Sequence, residues 1–169
     1  SATGTVTINV DDDGPSIAPI VETVDETDLP SGVVINGAIT NGFGHDGMGV
    51  VTPIDPSSGG FAFSGSLLNG VGLTHNNVIV DVTLNPTTGI YTGVAGAETI
   101  FTMQINSDGT YEFNLLSTLD HGDPNDPNDI INLDFSFSAA DGDGDTVTSV
   151  IRVQVKDDVP TISDSAGDV

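Results

Sequence analysis

The stretch that decides the fold is Leu133–Pro160, which has the sequence LDFSFSAADGDGDTVTSVIRVQVKDDVP. Apolar and polar residues alternate from Leu133 to Phe137, the two-residue period of a strand with one buried face. After the loop 139–145, a second segment with one apolar face ends at Val155. The stretch therefore predicts two strands joined by an acidic loop and followed by an acidic linker that ends in proline.

The acidic loop places Asp141, Asp143 and Asp145 two residues apart, with only glycines between them. Carboxylates this close repel one another by roughly several tenths of a kcal/mol per pair even in water, which favours a cation among them. The spacing also opens an EF-hand loop, but position twelve is Arg152 and a strand follows, so an EF-hand is excluded. Two interpretations remain: a calcium loop at a sheet end, or a solvated aspartate-glycine turn.

The N-terminal segment has the same pattern at a constant offset of 145 residues, as between Val6 and Ile151. Strand, acidic linker and proline recur in the same order, which is the signature of a tandem array of domains. We expect residues 14–158 to form one repeat and residues 159–169 to begin the next. Residues 1–13 are either the closing strand and linker of a preceding repeat or a strand that completes this domain.

Four motifs lie within this framework: VDETDLP at Val24–Pro30, LDH at Leu119–His121, DGDGDT at Asp141–Thr146, and the Val153–Pro160 linker. With them, nearly the whole chain resembles the tandem Ig-like repeats of giant type I-secreted RTX adhesins. The resemblance implies an extracellular, calcium-binding repeat at a bacterial cell surface, in a protein of cell adhesion and biofilms. Its partners would be neighbouring repeats of the same chain, while other domains would contact a surface glycan or protein.

In arrays with such linkers, calcium bridges the end of one module to acidic residues of the next. The acidic residues that the resemblance nominates here are Asp11, Asp12, Asp13, Glu22, Asp25, Glu26, Asp157 and Asp158. The alternative is a hydrated linker kept extended by charge repulsion and proline.

Composition narrows the classes of function. Two basic against 25 acidic residues give a formal charge of −23, which excludes nucleic-acid binding and argues against anionic membrane surfaces. Aspartate dominates the acid, with 21 residues against four glutamates, and aspartate suits turns and oxygen-ligand calcium sites. The chain has no cysteine, so metal could replace disulfides as a source of stability. No apolar run is long enough to span a membrane, and we expect a monomer.

About ten short strands and no useful helical period predict an all-β, antiparallel Ig-like sandwich of Greek-key type. One strand is expected at 16–21 and a hairpin at 99–116, with its turn at Asn106–Gly109. The aspartates of the loop at Leu119–Asp129 recur every three residues, which indicates a flexible acidic loop or, alternatively, a metal site.

We expect no enzyme, because the chain lacks cysteine and a G-x-S-x-G motif, and paired carboxylates are too abundant here to be specific. Its three histidines, His45, His75 and His121, are too scattered to indicate a zinc site. The expected function is a calcium-binding extender that positions a distal ligand-binding domain. The alternative is a module that itself binds a glycan or protein through the loops Asn41–Gly49 or Leu119–Asp129.

Overall fold

The computed structural model describes residues 3–9, 11–70, 72–123, 125–126 and 128–158. Eleven strands occupy this part of the chain. They are β1 (Ile20–Asp25), β2 (Val33–Ala38), β3 (Met48–Pro53), β4 (Phe61–Gly65), β5 (Thr74–His75), β6 (Val78–Asn85), β7 (Ile90–Ala95), β8 (Glu98–Ile105), β9 (Thr110–Leu115), β10 (Ile130–Asp141) and β11 (Thr146–Lys156). Short 3-10 turns cover Glu26–Ser31, Pro56–Ser58 and Leu68–Gly70. None of the described helices is long and apolar enough to cross a membrane.

Two sheets pack face to face, so the prediction of an all-β sandwich is confirmed. The first sheet has the order β1-β11-β10-β3. Strand β4 also belongs to it and pairs with the first half of β10, whereas β3 pairs with the second half. The second sheet has the order β2-β9-β8-β7-β6-β5. The chain crosses between the sheets after β1, β2, β4 and β9, so the sandwich is not a simple series of hairpins.

The alternation of apolar and polar residues in β10 contributes to the core. Every second residue of β10 is buried, and β11 matches it with Ile151, Val153 and Val155, all 0% exposed. Phe135 of β10 lies at the centre of an aromatic cluster with ring centroids 5.3–6.0 Å away. Its partners come from both sheets: Phe61, Tyr91, Phe101 and Phe113. Phe135 therefore joins the two layers.

Strand β1 differs from the prediction in position and direction. The strand expected at 16–21 lies at Ile20–Asp25, and it pairs with β11 in parallel, from Ile20 opposite Ile151 to Asp25 opposite Lys156. All other pairings in the two sheets are antiparallel among the described strands. Local sequence missed this because pairing with β11, four-fifths of the chain away, sets the register of β1 and outweighs its weak local pattern.

The N-terminal segment shows no strand within residues 3–9, although the sequence predicts one there. Val6 and Ile8 are 85% and 79% exposed, whereas their counterparts at the 145-residue offset, Ile151 and Val153, are fully buried in β11. The segment thus lacks, among the described residues, the sheet that its pattern requires. The predicted start of a following repeat, 159–169, lies outside the described residues.

Candidate metal centres at the two ends of the sandwich

The parallel pairing of β1 with β11 defines two opposite ends of the domain. The linker Asp11–Asp13 leads toward β1 at one end, here called the linker end, which also holds the loop between β10 and β11. The chain leaves β11 after Lys156 at the other end, here called the exit end. Strand β11 has 11 residues, so the two ends are separated by about 35 Å at about 3.3 Å per residue.

At the linker end, Asp12 meets two of the three aspartates predicted in the 141–145 loop. Carboxylate oxygens of Asp12, Asp143 and Asp145 all lie within 4.8 Å of one another, and all three residues are exposed. A second group, Asp12, Asp13 and Asp46, shares Asp12 and satisfies the same limit. The linker and two loops of the domain therefore place four further carboxylates around Asp12.

Asp141 holds the 141–145 loop in place, because backbone N–H groups of the loop donate hydrogen bonds to its buried carboxylate. It is 3% exposed at the end of β10, and its Oδ1 accepts hydrogen bonds from the backbone N–H groups of Gly144 (3.0 Å) and Asp145 (2.8 Å). Its backbone N–H donates to the Asp145 carbonyl at 3.0 Å. The sequence grouped Asp141 with Asp143 and Asp145 as equal candidates, but the alternation of β10 turns Asp141 inward while the other two remain exposed.

The carboxylates of the linker end influence one another's protonation. The adjacent Asp141 carboxyl, some loss of solvation and the negative charge of Asp12 raise the pKa of Asp143 to about 6. The pKa of Asp13 is lowered instead, because His45 contacts its Oδ2 through Nδ1 (2.9 Å) and donates its backbone N–H to the same atom (3.0 Å). The negative charge of Asp143 is thus disfavoured, and a cation would relieve that repulsion.

The loop Asn41–Gly49 packs directly on the linker. Ser16 donates its backbone N–H to the Gly42 carbonyl at 2.6 Å. A Cβ at Gly142 would lie 2.2 Å from the Asp46 carbonyl oxygen, so glycine lets the 141–145 loop approach the loop that carries Asp46. Two glycine-containing loops and the linker therefore converge because no Cβ separates them.

At the exit end, a largely buried group of carboxylates and an imidazole joins two of the motifs on which the sequence resemblance rests. Glu26 of VDETDLP and His121 of LDH have side chains only 1% and 4% exposed, with Glu26 Oε1 3.5 Å from His121 Nε2. Asp157, just after β11, completes a group whose ligand atoms lie within 4.8 Å of one another. Burial raises the pKa of Glu26. Burial lowers the pKa of His121, but the carboxylates of Glu26, Asp157 and Asp129 outweigh it and raise that pKa overall.

The other predicted ligands, apart from Glu26, lie outside these groups of possible metal ligands, and the carboxylates of two of them have other partners. Glu22 Oε1 accepts a hydrogen bond from Tyr111 Oη at 2.6 Å. Asp25 accepts from the backbone N–H of Thr27 at 3.0 Å and pairs with Lys156 Nζ at 3.1 Å. Asp11 and Asp158 belong to none of the described groups of three possible ligands, and Glu26 lies at the exit end, away from Asp11–Asp13.

Sequence reasoning missed two members of these groups, Asp46 and His121. Asp46 stands in a glycine-rich loop with no acidic spacing, so only its packing on the linker brings it to Asp12. The three histidines are scattered along the chain, so their spacing does not indicate His121, although its LDH motif and the VDETDLP motif are a usable signal. Because the resemblance rests on both motifs, their residues are natural candidates for one shared site.

A known protein family matches most of the chain. Residues 22–154 match the family described as Domain of unknown function (DUF5801). The chain belongs to the DUF5801 family. No curated protein matches the chain.

The DUF5801 span begins in β1 and ends in β11, so it contains both sheets and the loops that carry Asp46, Asp143 and Asp145. Asp12, Asp13 and Asp157 lie outside it. At each end of the sandwich, aspartates from a flanking linker therefore lie close to residues of the DUF5801 domain. Each group connects the domain to the chain beyond it.

Proposed function

We propose that the chain is a calcium-binding extender repeat of a large secreted bacterial adhesin, which holds a distal ligand-binding domain away from the cell. The observation that carries the proposal is the position of Asp12, a linker residue within 4.8 Å of Asp143 and Asp145 of the domain. A cation at this point would bind the linker and the domain at once.

The chemistry of the linker end suits calcium. Calcium takes six to eight oxygen ligands, which carboxylates, backbone carbonyls and water supply together, and extracellular sites have Kd values on the order of 10⁻⁴–10⁻³ M. The groups around Asp12 offer carboxylates alone, they are exposed, and they remain accessible to water. Coordination would replace the repulsion that raises the pKa of Asp143.

The two opposite ends suit a repeat that is extended along one axis. Through the 145-residue offset, Asp157 and Asp158 are the counterparts of Asp12 and Asp13. In a tandem chain Asp157 would stand between the exit end of one repeat and the 141–145 loop of the next, as Asp12 lies beside that loop here. Neighbouring repeats are the partners that this arrangement requires.

An extender requires stiff joints between its neighbouring repeats. The reach of a flexible chain grows only as about the square root of its length, whereas a stiff chain of repeats gains the full length of each. Proline fixes φ and biases its predecessor toward extended conformations, so Pro15 makes the linker semi-rigid before any ion binds. Secretion by a type I system and a place at the cell surface are part of this proposal and rest on the resemblance. The absence of catalysis is also part of it and rests on the lack of cysteine and of a G-x-S-x-G motif in the sequence. The alternative, ligand binding through the Asn41–Gly49 or Leu119–Asp129 loops, has no specific observation in its favour among the described residues.

Small-angle scattering of two repeats joined through the Asp157–Pro160 linker tests the proposal. Calcium should increase the maximum dimension, and circular dichroism should show unchanged secondary structure. Asp143→Asn and Asp145→Asn together in the second repeat should abolish the increase. The same two substitutions in the first repeat are the matched control, because its linker end is not at the joint. A maximum dimension that calcium leaves unchanged would overturn the extender mechanism.

A further inference from the structure

The exit end contains polar atoms whose hydrogen bonding is incomplete. Glu26 Oε1 accepts a hydrogen bond from the backbone N–H of Leu119 at 2.7 Å, but Glu26 Oε2 has no hydrogen-bond partner among the described residues. Both ring nitrogens of His121 are buried without one as well. Buried polar groups are normally hydrogen-bonded, so three unsatisfied atoms in one place require an explanation.

The distances in this cluster suit an ion between the side chains. Glu26 Oε1 and His121 Nε2 are 3.5 Å apart, beyond the usual 2.7–3.2 Å of an N–H···O hydrogen bond. Two ligands of a tetrahedral zinc ion, each at about 2.1 Å from the metal, stand about 3.4 Å apart. The third member, Asp157, offers a carboxylate oxygen within 4.8 Å of the other two ligand atoms.

A further carboxylate lies on the opposite side of the imidazole ring. Asp129 Oδ1 is 3.8 Å from His121 Nδ1, and the Asp129 side chain is 2% exposed. Asp129 is itself held in place, because its Oδ2 accepts the backbone N–H of Asp123 at 3.0 Å. Metal-binding histidines usually have a carboxylate or carbonyl at the second ring nitrogen, which orients the ring and raises its basicity.

We propose that Glu26, His121 and Asp157 bind a divalent transition metal of the zinc class, with Asp129 as the positioning carboxylate behind His121. An imidazole nitrogen and a largely buried site of few ligands suit zinc, whereas calcium prefers a larger set of oxygens. Within this repeat the site shares no residue with the groups around Asp12, so the inference goes beyond the calcium proposal. It departs from the expectation that the three histidines are too scattered to indicate a zinc site.

Calorimetric titration of the chelator-treated chain with zinc chloride, in excess calcium, tests the inference. We expect one tight zinc equivalent, which His121→Gln abolishes. Asp157→Asn should weaken it strongly, and Asp129→Asn by about 10- to 100-fold, as for other second-sphere carboxylates. His75→Gln is the control for loss of a buried histidine, and His45→Gln is the control for zinc binding at the linker end; both should keep the equivalent.

Cobalt(II) as a second probe reports coordination directly, because its visible absorption depends on the geometry and type of its ligands. The wild-type chain should give the absorption of a low-coordinate site, and His121→Gln should remove it. Absence of zinc heat, or zinc heat that survives His121→Gln, would overturn the inference and leave Glu26 and His121 as a buried ion pair. If circular dichroism shows that His121→Gln is unfolded, Asp157→Asn decides, since it leaves Glu26 and His121 in place. Zinc binding that is lost while the calcium response persists would affect this inference alone.

Discussion

Tyr111 of β9 donates a 2.6 Å hydrogen bond from its Oη to Oε1 of Glu22 on β1, so a polar contact joins the two sheets. Burial and the adjacent Glu22 carboxylate both raise the pKa of Tyr111, which therefore remains a donor at any moderate pH. A Cβ at Gly37 would lie 2.2 Å from the Tyr111 ring, so Gly37 of the neighbouring strand leaves room for it. Glu22, predicted as a linker ligand, thus has a structural contact inside the sandwich.

Tyr111→Phe should lower the free energy of unfolding by about 1–3 kcal/mol. The substitution keeps the ring but leaves the half-buried Glu22 carboxylate without its donor, and hydrogen bonds to charged groups contribute about that much. Urea denaturation measures the change. Glu22→Gln retains an acceptor for Tyr111 and should cost less. Equal stability of Tyr111→Phe and the wild type would mean that Glu22 is satisfied by water.

Calcium should raise the melting temperature of the chain through Asp12. Binding to the native state stabilises by RT ln(1 + [L]/Kd), about 2.7 kcal/mol at a hundredfold excess over Kd. With Kd on the order of 10⁻⁴–10⁻³ M, 10 mM calcium should contribute about 1–3 kcal/mol per site. Asp12→Asn should reduce this gain, and Asp81→Asn, an exposed aspartate of β6, is the matched control. Equal midpoints in EDTA and in calcium would exclude the calcium site.

Asp143→Asn should change stability in opposite directions with and without calcium, and in a pH-dependent way. Because the folded pKa of Asp143 is raised to about 6, the folded state holds a proton that the unfolded state has released. The resulting penalty on folding grows as the pH rises from about 4 to about 6 and is complete above it. Without calcium, the variant should match the wild type near the bottom of that range and exceed it at pH 8.

In calcium at pH 8, Asp143→Asn should instead be the less stable protein, since it removes a ligand. Thermal melts at several pH values, with and without calcium, measure both effects, and Asp81→Asn serves again as the control. A difference between variant and wild type that does not change with pH would contradict the raised pKa. Calorimetry that finds unchanged calcium affinity in the variant would remove Asp143 from the site.

Gly142→Ala should destabilise the linker end. Its Cβ would meet the backbone carbonyl oxygen of Asp46, which cannot move aside as a flexible side chain can. Overpacking of this kind costs about 1–3 kcal/mol, and calcium affinity should fall with it because the loop of Asp46 is displaced. Gly72→Ala is the control, since nothing lies within 4 Å of its added Cβ. Calorimetry and denaturation that show equal effects for the two variants would disprove the close approach of the loops.

The sequence by itself determined the layers of this protein. The alternation in β10 and β11, and in the hairpin of β8 and β9, follows from the two faces of a strand, so it fixes which side chains are buried without any knowledge of the partner strands. The same local pattern placed the 141–145 loop at a sheet end, because an acidic, glycine-rich segment between two strands can only be a turn. The family membership then agrees with a domain that spans these strands.

Only the tertiary structure decided which acidic residues meet. Asp12 reaches Asp143 and Asp145, and Glu26 reaches His121 and Asp157, because β1 pairs in parallel with β11 and places the two linkers at opposite ends. Nothing local distinguishes Glu22, bonded to Tyr111, or Asp25, paired with Lys156, from the carboxylates that remain available to an ion. The spacing of acidic residues along the chain shows only where carboxylates occur, whereas a metal site requires their side chains to converge in space. That convergence depends on strand pairings between residues more than a hundred positions apart.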